Sequence, residues 1–274
     1  MQQWEVIRML GAIIGDIVGS RFEWNNIHTK SFELFTPACF ATDDSIMTLA
    51  IGKAIMDCNG NYYDLDEKAV KAMQEVGRPY PNCGYGGRFL GWMYDDDPQP
   101  YNSFGNGAAM RVSPCGDVAK SLDEAKTLSR MVTAVTHNHP EGIKGAEATT
   151  VAIWMARNGE TMEAIRETID RNYYPMDFTL DEIRPTYRFN ETCQQTVPQA
   201  LMAFFESISF EDAIRNAISI GGDSDTLAAI TGGIAEAYYG IPECIRNEAI
   251  TFLDDRQYLI LKAFEDKFGF VSVK

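Results

Sequence analysis

Histidine is scarce in this chain: His28, His137 and His139 are the only three in 274 residues. A metal centre built on imidazole, of the zinc or copper kind, has almost nothing to draw on. A basic surplus is missing too. Lys and Arg total 24 against 39 Asp and Glu, a net charge of -15. Without cations to replace phosphate counterions, nucleic acid is excluded as a bulk electrostatic partner. No apolar run approaches the roughly 20 residues that span a bilayer, which argues against a membrane protein. Cysteines (Cys39, Cys58, Cys83, Cys115, Cys193, Cys244) are scattered, with no CxxC pair, and no secretory leader is expected ahead of them. They are expected as reduced thiols, and the expected compartment is the cytoplasm. Hairpin signals and alternating strands are lacking, which leaves an all-α fold. No linker composition or charge block divides the chain, so a single domain over residues 1–274 is expected.

What the chain does have is acid in two short clusters. Thr42-Asp43-Asp44-Ser45 and Asp223-Ser224-Asp225-Thr226 lie far apart, and each runs directly into an apolar, helix-like segment. Asp, Ser and Thr are good helix caps, so either cluster alone reads as capping. A cap needs one side chain, however, and each cluster offers three in four residues. Together Thr42, Asp43, Asp44, Asp223, Asp225 and Thr226 supply six hard oxygen ligands, a set suited to Mg2+ or Mn2+ and to a pair of them.

Helical periodicity runs through most of the rest. It predicts helices over 6–18, 43–57, 64–76, 121–135, 141–157, 160–170, 197–207, 209–219, 225–239, 243–253 and 256–267. Within 225–239, Leu227, Ile230, Ile234, Ala235 and Tyr238 share one face. The least regular stretch is 77–117, rich in Gly and Pro, and a segment of that kind is often functional. Its Asp95-Asp96-Asp97 run reads as a solvated loop. Gly105-Asn106-Gly107 reads either as a turn or as a place where backbone amides approach a diphosphate, glycine permitting positive φ.

These motifs, in this order, resemble one known family. Gly11-Ala12-Ile13-Ile14-Gly15-Asp16 followed by Glu23, then Thr42–Ser45, Ser103–Arg111, Val135-Thr136-His137 and Gly221–Thr226 are similar to the motifs of the ADP-ribosylglycohydrolases of the dinitrogenase-reductase-activating type. The resemblance implies a compact orthogonal bundle of helices and a pair of Mg2+ or Mn2+ ions held by Thr42, Asp43, Asp44, Asp223, Asp225 and Thr226. It implies hydrolysis of the bond between ADP-ribose and an acceptor, with arginine of a modified protein the first expectation. Serine or small-molecule linkages, a binuclear nucleotide phosphohydrolase and a silent ADP-ribose-binding protein are the alternatives.

By the same resemblance Glu23 is the candidate general acid or base, with Asp44 as the other catalytic carboxylate. Phe104, Gly105, Asn106, Gly107 and His137 are the candidate substrate contacts. Asp16 is expected to bond a neighbouring backbone group. The His137-Asn138-His139 pair is set aside as a metal site because the other ligands are oxygens. Ser45 stands where many relatives carry Thr, and Ala108-Ala109 lacks a hydroxyl that some use on the phosphates. The partner expected is an ADP-ribosylated protein or ADP-ribose conjugate. No oligomeric state is implied, and a monomer is compatible with the sequence.

Overall fold

The computed structural model describes residues 9–269. Fourteen α-helices are found there: α1 (Leu10–Gly19), α2 (Asp43–Asp57), α3 (Leu65–Gly77), α4 (Gly87–Tyr94), α5 (Ser113–Val118), α6 (Leu122–Ala134), α7 (Pro140–Arg157), α8 (Met162–Asn172), α9 (Leu180–Ile183), α10 (Cys193–Phe205), α11 (Phe210–Ser219), α12 (Ser224–Tyr239), α13 (Glu243–Ala249) and α14 (Asp255–Phe268). Among the described residues the strand-like pairing is a single bridge between Gly105 and Thr192. The all-α expectation therefore holds. Residues 6–8 of the first expected helix lie outside the described region.

Local chemistry sets most of the helix starts. Ser121, Thr161 and Ser209 each cap the helix that follows by accepting a backbone N–H three residues on. Thr179 and Asp254 close full capping boxes with Glu182 and Gln257. Some expectations shift. The helix expected over 197–207 begins four residues earlier, at Cys193, and carries Pro198 inside it. Within the irregular 77–117 stretch, α4 and α5 form as well. α4 is driven by Phe89, Trp92 and Met93, which share a buried face despite Gly87 and Gly91 around them.

Helices α1 and α12 make the centre. Every residue from Leu10 to Gly19 is buried, as is every residue from Ser224 to Glu236. A helix buried all round is a core element, so the single apolar face read for 225–239 understates its burial. Its polar Thr231 is satisfied internally by the carbonyls of Leu227 and Ala200. Around α12 pack α1, α7, α10 and α11. The closest approach is to α1, through Gly11, Gly15 and Gly19 at four-residue spacing. A Cβ on Gly11 would overlap the Gly232 carbonyl, one on Gly15 the Ala228 carbonyl, and one on Gly19 would meet Asp225 Cα. Backbone thus meets backbone along one seam, and the seam sets Asp16 and Asp225 side by side.

Candidate active site

Asp16 points from α1 at the first turn of α2. It accepts from Thr42 N at 2.9 Å, Thr42 Oγ1 at 2.6 Å, Ser45 N at 3.0 Å and the Ser45 hydroxyl. One carboxylate from another helix therefore caps α2, the backbone-bonding part expected of it. Ser45 serves this contact as a Thr would. Thr42 adds its own cap bond from Asp44 N at 3.3 Å. With the turn fixed at both ends, Asp43 and Asp44 project from it. Asp44 Oδ2 accepts from Thr226 Oγ1 at 3.2 Å, while its buried Oδ1 has no hydrogen-bond partner.

The start of α12 is set by Gly221 and Gly222, whose φ values of 73° and 77° suit glycine. Asn26 clasps Gly222 from outside: Gly222 N donates to Asn26 Oδ1, and Asn26 Nδ2 donates to Gly222 O, both at 2.8 Å. The same amide reaches Phe22 O and Glu23 O. Asn26 thereby ties the turn carrying Glu23 to the turn carrying Asp223. Nothing in the local sequence marks Asn26 for this task.

Two carboxylate triads result. Oxygens of Asp16, Asp44 and Asp225 lie within 4.8 Å of one another, and so do those of Glu23, Asp223 and Asp225. Asp225 is common to both. Asp43 stands outside the triads but borders the same cavity, as does Thr226; Thr42 is buried behind it on Asp16. Burial, reinforced by neighbouring carboxylates, holds Asp43, Asp44 and Asp225 well above the ordinary range and raises Asp223. Asp16 is pushed up to about 6 by burial, against the pull of its four donors, and Glu23 to about 7 by burial and Asp223. So many buried acids without a matched cation is costly. An all-oxygen donor set and the orphaned Asp44 Oδ1 fit a hard divalent cation.

The cavity beside the acids holds about 270 Å³. Gly105, Asn106, Gly107 and His137 border it. Asn106 does more than turn the chain. Its side chain donates to Asp223 Oδ2 at 2.6 Å and its N–H to Glu191 O at 2.7 Å. Gly105 has φ -64°, so it needs no positive φ; a Cβ there would lie 3.5 Å from His137 Nε2, an ordinary contact distance. Phe104 is exposed and packs on the His139 ring, centroids 5.1 Å apart, while Tyr101 is the ring that borders the cavity near His137. His139 caps α7 through Nδ1, which accepts from Glu141 N. Arg111, Phe189 and Glu191 also border the cavity and were not singled out from sequence. Arg111, a lone charge in an apolar run, carried a signal; Phe189 and Glu191 carried none.

The ADP-ribosylglycohydrolase family model matches residues 8–265. The chain belongs to that family. Family membership makes it a hydrolase of the ADP-ribosyl glycosidic bond. It is 24% identical over 311 residues to human ADP-ribosylhydrolase ARH3, covering 86% of this chain and 85% of the relative. It is 26% identical to the ADP-ribosylarginine hydrolase Tri1 of Pseudomonas putida (strain GB-1), covering 85% and 70%. To the ADP-ribosyl-[dinitrogen reductase] glycohydrolase of Rhodospirillum rubrum it is 27% identical, covering 85% of each. A solved ADP-ribosylglycohydrolase-related protein complex superposes with a TM-score of 0.70 at 22% identity over 96% of each chain, which supports the shared fold.

Proposed function

We propose that the protein removes ADP-ribose from modified arginine side chains of proteins, using two divalent cations, Mg2+ or Mn2+. The observation that carries this reading is the pair of carboxylate triads sharing Asp225 beside the cavity. Asp44, Asp223 and Asp225 would hold the cations, with Asp16 and Glu23 in the same two triads, and Thr42, Asp43 and Thr226 beside them would complete the set. When bound, the cations supply Lewis acidity and a grip on the vicinal ribose hydroxyls.

The chain's own residues do the rest. Cleavage of a ribosyl bond builds positive charge at the anomeric carbon, which the surrounding carboxylates stabilise. Glu23 is half-buried, with its carboxyl raised to about 7. A carboxylate so placed takes a proton from attacking water and returns it to the leaving nitrogen. Asp44, fixed by Thr226, is the second catalytic carboxylate. Asn106 orients Asp223, and Gly105, Gly107 and His137 receive the ADP-ribosyl group, with Tyr101 rather than Phe104 as the ring at the cavity near His137. Arginine as acceptor is supported by the name of the Tri1 relative and by Glu191 at the cavity, a carboxylate able to meet a guanidinium. Six free cysteines, and the lack among the described residues of a helix long and apolar enough to cross a membrane, agree with action in the cytoplasm.

One assay separates the competing activities. With Mg2+ or Mn2+ and a protein ADP-ribosylated on arginine, free ADP-ribose is the expected product. Release only from serine-linked substrate moves the acceptor. Phosphate or AMP indicates a phosphohydrolase, and binding without turnover a silent receptor.

A further inference from the structure

Arg111 is buried, and its guanidinium donates to Thr136 Oγ1 at 2.7 Å and to the Val132 carbonyl at 3.4 Å, with the Phe89 ring 5.8 Å away. Thr136 Oγ1 in turn lies 2.7 Å from His137 Nδ1. A hydroxyl has one proton and two lone pairs, and a guanidinium only donates, so Arg111 occupies one lone pair. The Thr136 proton then has two acceptors within reach: His137 Nδ1 at 2.7 Å and the Thr133 carbonyl at 3.5 Å. The second distance is at the edge of a hydrogen bond. Donation from a cation also polarises the Thr136 O–H and makes it a stronger donor. Nδ1 therefore accepts, and the imidazole proton sits on Nε2. Nε2 is the atom turned to the glycine loop, 3.5 Å and 3.4 Å from where a Cβ on Gly105 or Gly107 would stand. Burial and the Arg111 charge hold His137 neutral.

We propose that Arg111 and Thr136 are positioning residues that lock His137 in its Nε2–H form, so that it donates a hydrogen bond to an oxygen of the ADP-ribosyl group lying against Gly105–Gly107. The ligand half of this rests on the function proposed above; the tautomer half does not. A neutral donor suits the place, because it offers an N–H without adding a cation that competes with metal for the acids alongside.

Nitrogen-15 spectra of the labelled protein test it. With three histidines the spectrum is simple, and His137→Gln identifies the His137 signals. In the wild type, Nδ1 is expected in the unprotonated range and Nε2 in the protonated range. Thr136→Val mixes the two tautomers and weakens ADP-ribose binding, measured by calorimetry with Mg2+, about 3–10-fold, the size of one hydrogen bond. Thr136→Ser restores both. An Nδ1–H tautomer in the wild type overturns the proposal, and so does a Val variant with unchanged tautomer or affinity. If the Val variant does not fold, the wild-type spectrum still decides the tautomer. A wild type with Nε2–H that binds no ADP-ribose leaves the wiring standing and removes the ligand.

Discussion

Thr226 donates its hydroxyl to Asp44 across 182 positions of chain, at 3.2 Å. This bond joins the first turn of α12 to the first turn of α2, and with it the two acidic clusters become one site. The other oxygen of Asp44 is left without a hydrogen-bond partner. The expected behaviour of the site follows from that arrangement.

Asp225 belongs to both carboxylate triads, so Asp225→Asn is expected to abolish hydrolysis while the fold survives. Thermal melts with and without Mn2+ check this. The wild type gains stability from the ion, as any ligand of the folded state confers. The variant is expected to show no gain; a metal-induced rise equal to the wild type's removes Asp225 from the site.

Metal-free protein is expected to lose stability as pH rises, the reverse of the usual behaviour of acids. Burial raises Asp16 to about 6 and lifts Asp43, Asp44 and Asp225 well above the ordinary range. Unfolded carboxylates titrate near about 4. Above that pH the folded state binds more protons than the unfolded one, so the slope of stability against pH is negative. Stability is full below about 4 and is lost as pH climbs through the folded values. With EDTA, Tm at pH 8 should fall below Tm at pH 5; with Mn2+ the gap should close. A metal-free Tm that climbs from pH 5 to pH 8 contradicts the buried-acid account.

Glu23→Gln keeps the size of the side chain and removes its basicity. Turnover is expected to drop about 10²–10⁴-fold, the range for a general acid or base. ADP-ribose affinity should change far less, because the glycine loop and His137 remain. Steady-state kinetics beside calorimetry decide the matter, and near-normal turnover moves proton transfer to Asp44.

Two glycines give opposite outcomes on substitution by alanine. Gly15→Ala drives a Cβ into the Ala228 carbonyl. Neither backbone can yield, so a loss of about 3 kcal/mol is expected, at the upper end of overpacking costs. Gly91→Ala, exposed in α4 with open space around it, is expected to gain about 0.5–1 kcal/mol by limiting the unfolded chain. Urea denaturation of both variants measures the difference.

The start of α2 was legible because Thr42–Ser45 runs straight into an apolar helix, and the expected 43–57 matches the observed Asp43–Asp57. The acid pair was legible for the same reason, since cap and ligand chemistry share residue types. Helix α4 was not, because Gly86, Gly87 and Gly91 signal turns more loudly than Phe89, Trp92 and Met93 signal a buried face. Asn26, Phe189 and Glu191 were beyond reach altogether. Each matters through a neighbour distant in the chain, as Asn26 does through Gly222, and no local period encodes such a partner. Asp16 was read as structural, and its bonds to Thr42 and Ser45 bear that out; its closeness to Asp225 depends on the glycine seam, which only packing reveals.

That seam also governs when a nascent chain becomes an enzyme. α1 is made well before α12, so its glycine-lined flank waits for a partner not yet made. The roughly 200 residues between α1 and α12 take about 10–40 s to synthesise at usual rates. Asp44 and Asp225 meet only after α12 emerges, so a message cut short anywhere before Ser224 yields a polypeptide with half a catalytic centre and no activity to misdirect.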